Sequence, residues 1–267
     1  EFLDALVRFR FPSLPAVLLK ALRPIVHWQL KKQTNTVHDV KSFQAVIENY
    51  MQRMITSTSA GLTVSGLENL DAQQAYLFIS NHSDIAMDPA FVNWGLYQCG
   101  LDTARIAIGD NLLRKPCATE LMRLNKSFIV KRSAKGPREM AKTFSELSSY
   151  IADSLQEGHN IWIAQKEGRA KDGDDCTDPA ILKMFHMAGK QKKLGFVEYM
   201  QQLNIVPVAI SYEYDPGDEA KARELYETST NGSYQKSEFE DIESIVAGII
   251  GYKGRVHVNV GQPLTDG

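Results

Sequence analysis

Cysteine is scarce in this chain of 267 residues, with only Cys99, Cys117 and Cys176, at a spacing that fits no zinc knuckle. An odd, unpatterned set of three excludes a disulfide scaffold and makes a reducing compartment the simpler reading. Long apolar runs are missing too. No stretch reaches the roughly 18 consecutive apolar residues of a membrane-crossing helix. The nearest, Leu14 to Leu30, is broken by Lys20, Arg23 and Pro24 and diluted by His27 and Gln29. The compact apolar core and small-residue cleavage site of a signal peptide are also lacking. The sequence contains no internal repeat and no low-complexity segment. Nor is there an excess of one charge: 30 Lys+Arg stand against 32 Asp+Glu, a net charge of −2, which gives the whole molecule no reason to bind nucleic acid. What remains is a composition close to the globular average, 43% hydrophobic and 9% aromatic, and a length suited to one large domain with at most a small satellite. The first residue is Glu1 rather than Met, which suggests a piece of something longer.

The near-zero total conceals segregated charge. Residues 1–60 hold eight Lys/Arg and four Asp/Glu, residues 123–142 hold seven basic side chains and one acid, and residues 213–243 hold ten acids and three bases. Residues 1–60 read as an N-terminal helical segment. A Pro-punctuated apolar and basic stretch is followed by a helix from about Val40 to Ile55, with Phe43, Ile47, Met51 and Met54 at helical spacing. These helices either pack on the domain, the usual fate of an apolar helix face, or present Phe9, Phe11, Leu14, Val17, Leu18 and Trp28 among Arg8, Arg10, Lys20, Arg23, Lys31 and Lys32 to an anionic membrane.

Residues 61–267 form the second region, where short β-rich runs alternate with helical stretches. Strands are predicted at 76–80, 104–108, 128–131, 160–164, 205–211 and 256–260. A helix is predicted from Arg138 to Gln156, with a left-handed Gly158 at its end. This succession predicts an α/β fold: a mixed, largely parallel sheet flanked by helices. The polar stretch Thr228 to Ser237 reads as a loop.

Four segments could carry chemistry. The first, Ser80-Asn81-His82-Ser83-Asp84-Ile85-Ala86-Met87-Asp88-Pro89, follows an apolar strand, where open α/β sheets place their sites. Pro89 in the first turn of a helix would make Asp88 its N-cap, aimed back at the strand end. Such a carboxylate could orient an imidazole and leave its other nitrogen as a base; an Asp cap is equally an ordinary structural device. Ser83 is set aside as a nucleophile, because adjacent side chains on an extended segment point to opposite faces. The second segment, Lys126 to Arg132, is a strand ending in cations, either a solvated basic edge or a phosphate site. The third, Gln165-Lys166-Glu167-Gly168-Arg169, is either a charged turn or a place where carboxylate and backbone approach a polyol. The acids after it, Asp172, Asp174, Asp175 and Asp178, lack the twelve-residue ligand spacing of a calcium loop. The fourth, Ile205 to Ile210, is an apolar strand whose Pro207 points to an edge or a break in pairing.

In this order the four segments resemble the four blocks of the glycerolipid acyltransferase family, the PlsC-like glycerophosphate and lysophosphatidate acyltransferases, over about residues 62–212. The resemblance implies a catalytic His82–Asp88 pair, binding of a phosphorylated glycerol by Arg132, Glu167 and Gly168, and a part for Pro207 in the acyl site. Lys126, Lys131 and Arg169 join the substrate-binding candidates. Three departures stand out. Five residues separate His82 from Asp88 where the family has four, which leaves Asp84 as a rival acid. Lys126 replaces the Gly that opens the second block, and the third block has lost its Pro and carries Arg169 one position early.

The reaction so implied moves an acyl group from a thioester, acyl-CoA or acyl-carrier protein, to a hydroxyl of a glycerol phosphate or lysophospholipid. It belongs to phospholipid biosynthesis and needs neither metal nor bound cofactor. The expected location is the cytoplasmic face of a membrane, peripherally attached to anionic lipid, with no nucleic-acid partner. Two other readings remain: a metal-dependent hydrolase using His82, Asp84 and Asp88, and a membrane-binding module that has kept the fold and lost the activity.

Overall fold

The computed structural model describes residues 15–264 apart from 113–115, 132, 135 and 238. Helix α1 (Ala16–Thr34) carries Leu18, Ile25 and Trp28 exposed, with the Lys32 ammonium 5.7 Å from the Trp28 ring centre. The other end of the proposed membrane face, Phe9, Phe11 and Leu14 with Arg8 and Arg10, lies outside the described residues. Helix α2 (Val40–Thr58) begins in a capping box: Asp39 accepts from the Ser42 backbone at 2.7 Å while Ser42 Oγ accepts from the Asp39 N–H at 3.0 Å.

The rest alternates strands and helices in the order β1 (Gly61–Ser65), β2 (Leu77–Ser80), α3 (Met87–Gln98), β3 (Arg105–Gly109), α4 (Pro116–Leu124), β4 (Ser127–Val130), α5 (Pro137–Gln156), β5 (Ile161–Ala164), α6 (Pro179–Gln191), α7 (Phe196–Gln202), β6 (Ile205–Tyr212), α8 (Asp218–Asn231), α9 (Glu240–Ile250) and β7 (Arg255–Val260). The strands form one sheet of order β1-β7-β6-β2-β5-β3-β4. All neighbours are parallel except β6 and β7, so β1 and β7 run opposite to the other five strands.

Burial follows from the period of two. Central strand β2 is buried at all four positions, sending Leu77 and Ile79 to one face and Phe78 to the other. On the Phe78 face, Trp162, Val206, Val208, Val256 and Val258 pack with Phe91, Val92 and Leu96 of α3 and Ile55 of α2. On the Leu77 face, Ile161, Ile163 and Ile205 pack with Leu147 and Ile151 of α5, Phe185 of α6 and Tyr199 of α7. Strand β1 was absent from the sequence expectation because Thr63 and Ser65 make its alternation weakly apolar. The polar stretch expected as a loop begins inside α8, which runs to Asn231. Gly158, at φ +84°, has the left-handed conformation expected after α5.

Helices α6 and α7 meet so closely at Gly189 that a Cβ there would lie 2.4 Å from Cγ of the buried Tyr199 ring. An aromatic ring locked in a core cannot yield as a flexible chain end does. Gly189→Ala is expected to cost about 1–3 kcal/mol, read as a lower urea midpoint; an unchanged midpoint would show that the two helices can slide apart freely.

Candidate active site

Because β2, β4, β5 and β6 run the same way, the segments after them gather at one edge of the sheet. The loop after β2 is tied to both neighbours. Asn81 replaces a strand residue: its Nδ2 donates to the Ile210 carbonyl at 2.8 Å and its Oδ1 accepts from the Ile210 N–H at 2.7 Å. On the other side, Gln165 N–H donates to Ser80 O at 2.8 Å and Ala170 N–H to His82 O at 2.7 Å. His82 therefore sits between the first and third sequence segments with its backbone fixed.

Asp88, not Asp84, reaches the imidazole. Its Oδ2 lies 2.9 Å from His82 Nδ1 and also accepts from the N–H groups of Ser83 at 2.6 Å and Asp84 at 2.9 Å. Its Oδ1 accepts from the Tyr212 hydroxyl at 2.5 Å. A carboxylate is an acceptor, so the ring proton belongs on Nδ1 and Nε2 is left as the basic nitrogen. Asp88 is fully buried, while the His82 side chain keeps 13% exposure.

The expectation that Asp88 caps the helix is corrected. Helix α3 starts at Met87 with Ala86 in the cap position, so Asp88 lies in its first turn, and Asp84 closes the turn ahead of the helix through Oδ1, accepting at 2.9 Å from both Ala86 N–H and Met87 N–H. The fifth intervening residue is absorbed by this turn, and His82 still meets Asp88. Burial raises the Asp84 carboxyl above its ordinary 3.8; the Met87 hydrogen bond opposes this and the charge of Asp88 adds to it.

A cavity of about 200 Å³ opens beside His82 and runs between β3, β4, β5 and helices α5 and α6. Met140, Phe144, Leu147, Ile181 and Met184 make it apolar, and Lys131, Lys166 and Glu167 stand on its wall. Trp162 also lines it, 5.7 Å from the His82 ring centre in an edge-on arrangement; its buried indole N–H has no partner among the described residues.

The other sequence candidates divide. Lys131 follows β4 at the site edge, 3.5 Å from Glu146 across α5. Arg132 lies outside the described residues. Lys126 is not brought to the site: it precedes β4, at the far end of a four-residue strand about 13 Å long, where Nζ donates to the Thr103 carbonyl and burial lowers its pKa. Glu167 and Gly168 form the turn after β5, with Gly168 at φ +78°, a conformation that suits glycine. Arg169 turns from the cavity toward α9, where Nη2 donates to Ser244 Oγ at 3.4 Å. Pro207 is neither at an edge nor in the cavity lining. It is exposed, on a strand flanked by β2 and β7, and its carbonyl accepts from Gly261 N–H just past the last β7 pairing at Val260. Regular β6–β7 pairing stops at this residue, the break that a missing N–H predicts. Among the described residues, no three His, Cys, Asp or Glu side chains are grouped to hold a metal ion.

Two residues escaped the sequence reading. Tyr212 ends β6, in phase with the buried Val208 and Ile210, a period that would have placed it on the α3 face at the site edge. Gly248 of α9 lies against Asp84 so closely that a Cβ would come 2.0 Å from Oδ2; a lone Gly in an apolar helix was its only signal.

In sequence, a family model described as Acyltransferase matches residues 61–211. No curated protein matches the chain. Among solved structures, the 1-acyl-sn-glycerophosphate (LPA) acyltransferase PlsC from Thermotoga maritima is similar at 13% identity and a TM-score of 0.48, over 98% of this chain and 78% of that one.

The Asp84 environment gives a pH-dependent expectation. Its carboxyl holds a proton more tightly folded than unfolded, so its contribution is full below 3.8 and is lost as pH rises through the raised folded value. Asp84→Asn keeps an accepting oxygen without the charge. The stability of wild type relative to this variant is therefore expected to fall as pH rises from 3.8 toward neutrality, measured by urea unfolding across that range. A difference independent of pH would refute this, and Asp84→Ala, which lacks the acceptor, should cost about 1–2 kcal/mol.

Proposed function

The chain belongs to the acyltransferase family, and on that premise we propose that it transfers a fatty acyl group from an acyl thioester to a hydroxyl of a glycerol phosphate or lysophospholipid. The observation that carries this reading is the His82–Asp88 pair at the mouth of an apolar cavity walled by Met140, Phe144 and Leu147. A base beside a greasy cleft suits a substrate with a long alkyl chain and a reacting carbonyl at its end.

With its proton on Nδ1 held by Asp88, His82 uses Nε2 to take the proton of the acceptor hydroxyl as that oxygen attacks the thioester carbonyl. The C–S bond then breaks, and the leaving thiolate takes the proton back from the imidazolium. Donor and acceptor meet in one complex, and no acyl-enzyme forms. Asp88 offsets the positive charge on the ring during transfer. The acyl chain lies in the cavity, and Lys131 and Lys166 on its wall supply positive charge for the acceptor's phosphate, beside the Glu167-Gly168 turn. By resemblance Arg132 joins them. Acyl-CoA and acyl-carrier protein are both suitable donors, and the product places the enzyme in phospholipid biosynthesis.

No helix among the described residues is long and apolar enough to cross a membrane. For attachment to the cytoplasmic face we look to α1, where exposed Leu18, Ile25 and Trp28 accompany Lys20, Arg23, Lys31 and Lys32. Such a helix suits an anionic bilayer surface.

The test is a panel of acceptors offered with one labelled acyl thioester. Transfer to glycerol phosphate or a lysophospholipid is expected, falling at least about 10³-fold in His82→Ala and persisting with a strong chelator. Loss of activity to the chelator would favour a metal-dependent hydrolase, and an acceptor panel without any transfer would favour a membrane-binding module. Separately, replacing Lys20, Arg23, Lys31 and Lys32 by Gln should weaken sedimentation with anionic liposomes and leave neutral ones unaffected; equal binding by both proteins would remove α1 from the membrane contact.

A further inference from the structure

We propose that Tyr212 is a positioning residue for the acid–base pair, its hydroxyl fixing the rotation of the Asp88 carboxylate and moderating the charge that carboxylate presents to His82. The proposal deepens the acyl-transfer reading and rests on it.

The argument starts from the unequal loading of the two Asp88 oxygens. Oδ2 accepts from His82 Nδ1, Ser83 N–H and Asp84 N–H, whereas Oδ1 accepts from the Tyr212 hydroxyl. Without that hydroxyl, a charged oxygen buried away from water would lose its donor, and the carboxylate could rotate to share its remaining donors between both oxygens. Either change alters the bond that orients the imidazole. The donor is itself held firmly. Tyr212 is the last residue of β6, paired with Val256 of β7, and its ring leans on Phe91 of α3 at a centroid distance of 6.0 Å. Phe91 and Asp88 lie on the same helix, so one side chain spans from the sheet to the first turn of α3. Burial pushes the Tyr212 phenol well above its ordinary 10, with the Asp88 charge next in weight, so the hydroxyl stays a donor across the working pH range.

The surrounding charges do not duplicate this contact. Asp84 on the same loop and Asp215 after β6 are acids that also bear on the phenol. Arg169, from the loop after β5, and Lys253, ahead of β7, bear on Asp84. Lys253 Nζ is taken up by Thr58 Oγ1 at 3.0 Å and the Gly251 carbonyl at 2.8 Å. Lys131, Lys166 and Glu167 stand across the cavity wall from the ring.

The consequence has a definite sign. A carboxylate that shares its charge with a phenol attracts a neighbouring imidazolium less. Removing the hydroxyl strengthens that attraction, so the ring holds its proton to higher pH and is available as a base over a narrower range. Tyr212→Phe should lower kcat about 10-fold with KM changed less than about 2-fold, and should move the acid limb of the kcat/KM profile up by roughly half a pH unit. The same displacement should be seen in the imidazole titration of His82 by NMR, its signal assigned from His82→Gln. Placing 2,3-difluorotyrosine at position 212 retains the hydroxyl and makes it a stronger donor, so both the limb and the titration should move down, even if the Phe variant folds poorly. In an Asp88→Asn background, Tyr212→Phe should have no further effect on the His82 titration.

A lower melting temperature with the pH profile and titration unmoved in both substitutions overturns the proposal, leaving Tyr212 as a packing residue. If no acceptor is acylated by any form of the protein, the acyl-transfer reading fails, while the NMR titration still decides whether Tyr212 governs the pair.

Discussion

Four donors converge on the buried carboxylate of Asp88, and the local architecture is arranged around satisfying them. Two are backbone N–H groups of the loop that carries His82, one is the imidazole and one is a phenol from a distant strand. Taking such a charge out of water is tolerable only when its lone pairs are filled, and partial filling is costly. The tight turn of residues 82–86, the entry angle of α3 and the end of β6 all serve that one requirement. Asp84 contributes at the next remove, since its hydrogen bonds with Ala86 and Met87 set where α3 begins and hence where Asp88 lies.

The sheet explains why these groups meet. Five strands running one way deliver the loops after β2, β4, β5 and β6 to a common edge, and the reversal at β7 brings Lys253 to that edge from the opposite direction. Asn81 then joins the β2 loop to β6 through both atoms of its amide. The imidazole is thus held by a framework already complete in the folded protein. Less reorganisation is left for the moment of substrate binding.

Much of this was legible in the sequence because the signals were local and periodic. The apolar runs at 76–80 and 160–164 proved to be strands buried on both faces, and the stripe on Arg138 to Gln156 proved to be a helix over the sheet. The pairing of His82 with Asp88 was named, but the helix boundary between them was misjudged. Pro89 suggested an N-cap at Asp88, whereas Asp84 makes hydrogen bonds two and three residues ahead and starts the helix earlier. Lys126 was misplaced because a motif read as a string does not say which end of a strand a residue occupies. Arg169 turned elsewhere for a related reason: what it touches, Ser244, lies far along the chain. Tyr212 and Gly248 meet Asp88 and Asp84 across more than a hundred residues, and the β6 period or a lone Gly in an apolar helix does not name such a distant partner.

That separation also orders events in time. Tyr212 meets Asp88 across 124 positions and Asn81 meets Ile210 across 129, while Gly248 and Lys253 come later still. During synthesis, the histidine and its aspartate emerge together, long before the strand and helix that lock them. Contacts of such sequence separation form slowly because a long loop must close first. The His82–Asp88 pair is therefore among the last parts of the molecule to mature, and a chain halted before β6 would carry both residues without the Tyr212 and Ile210 contacts that hold them.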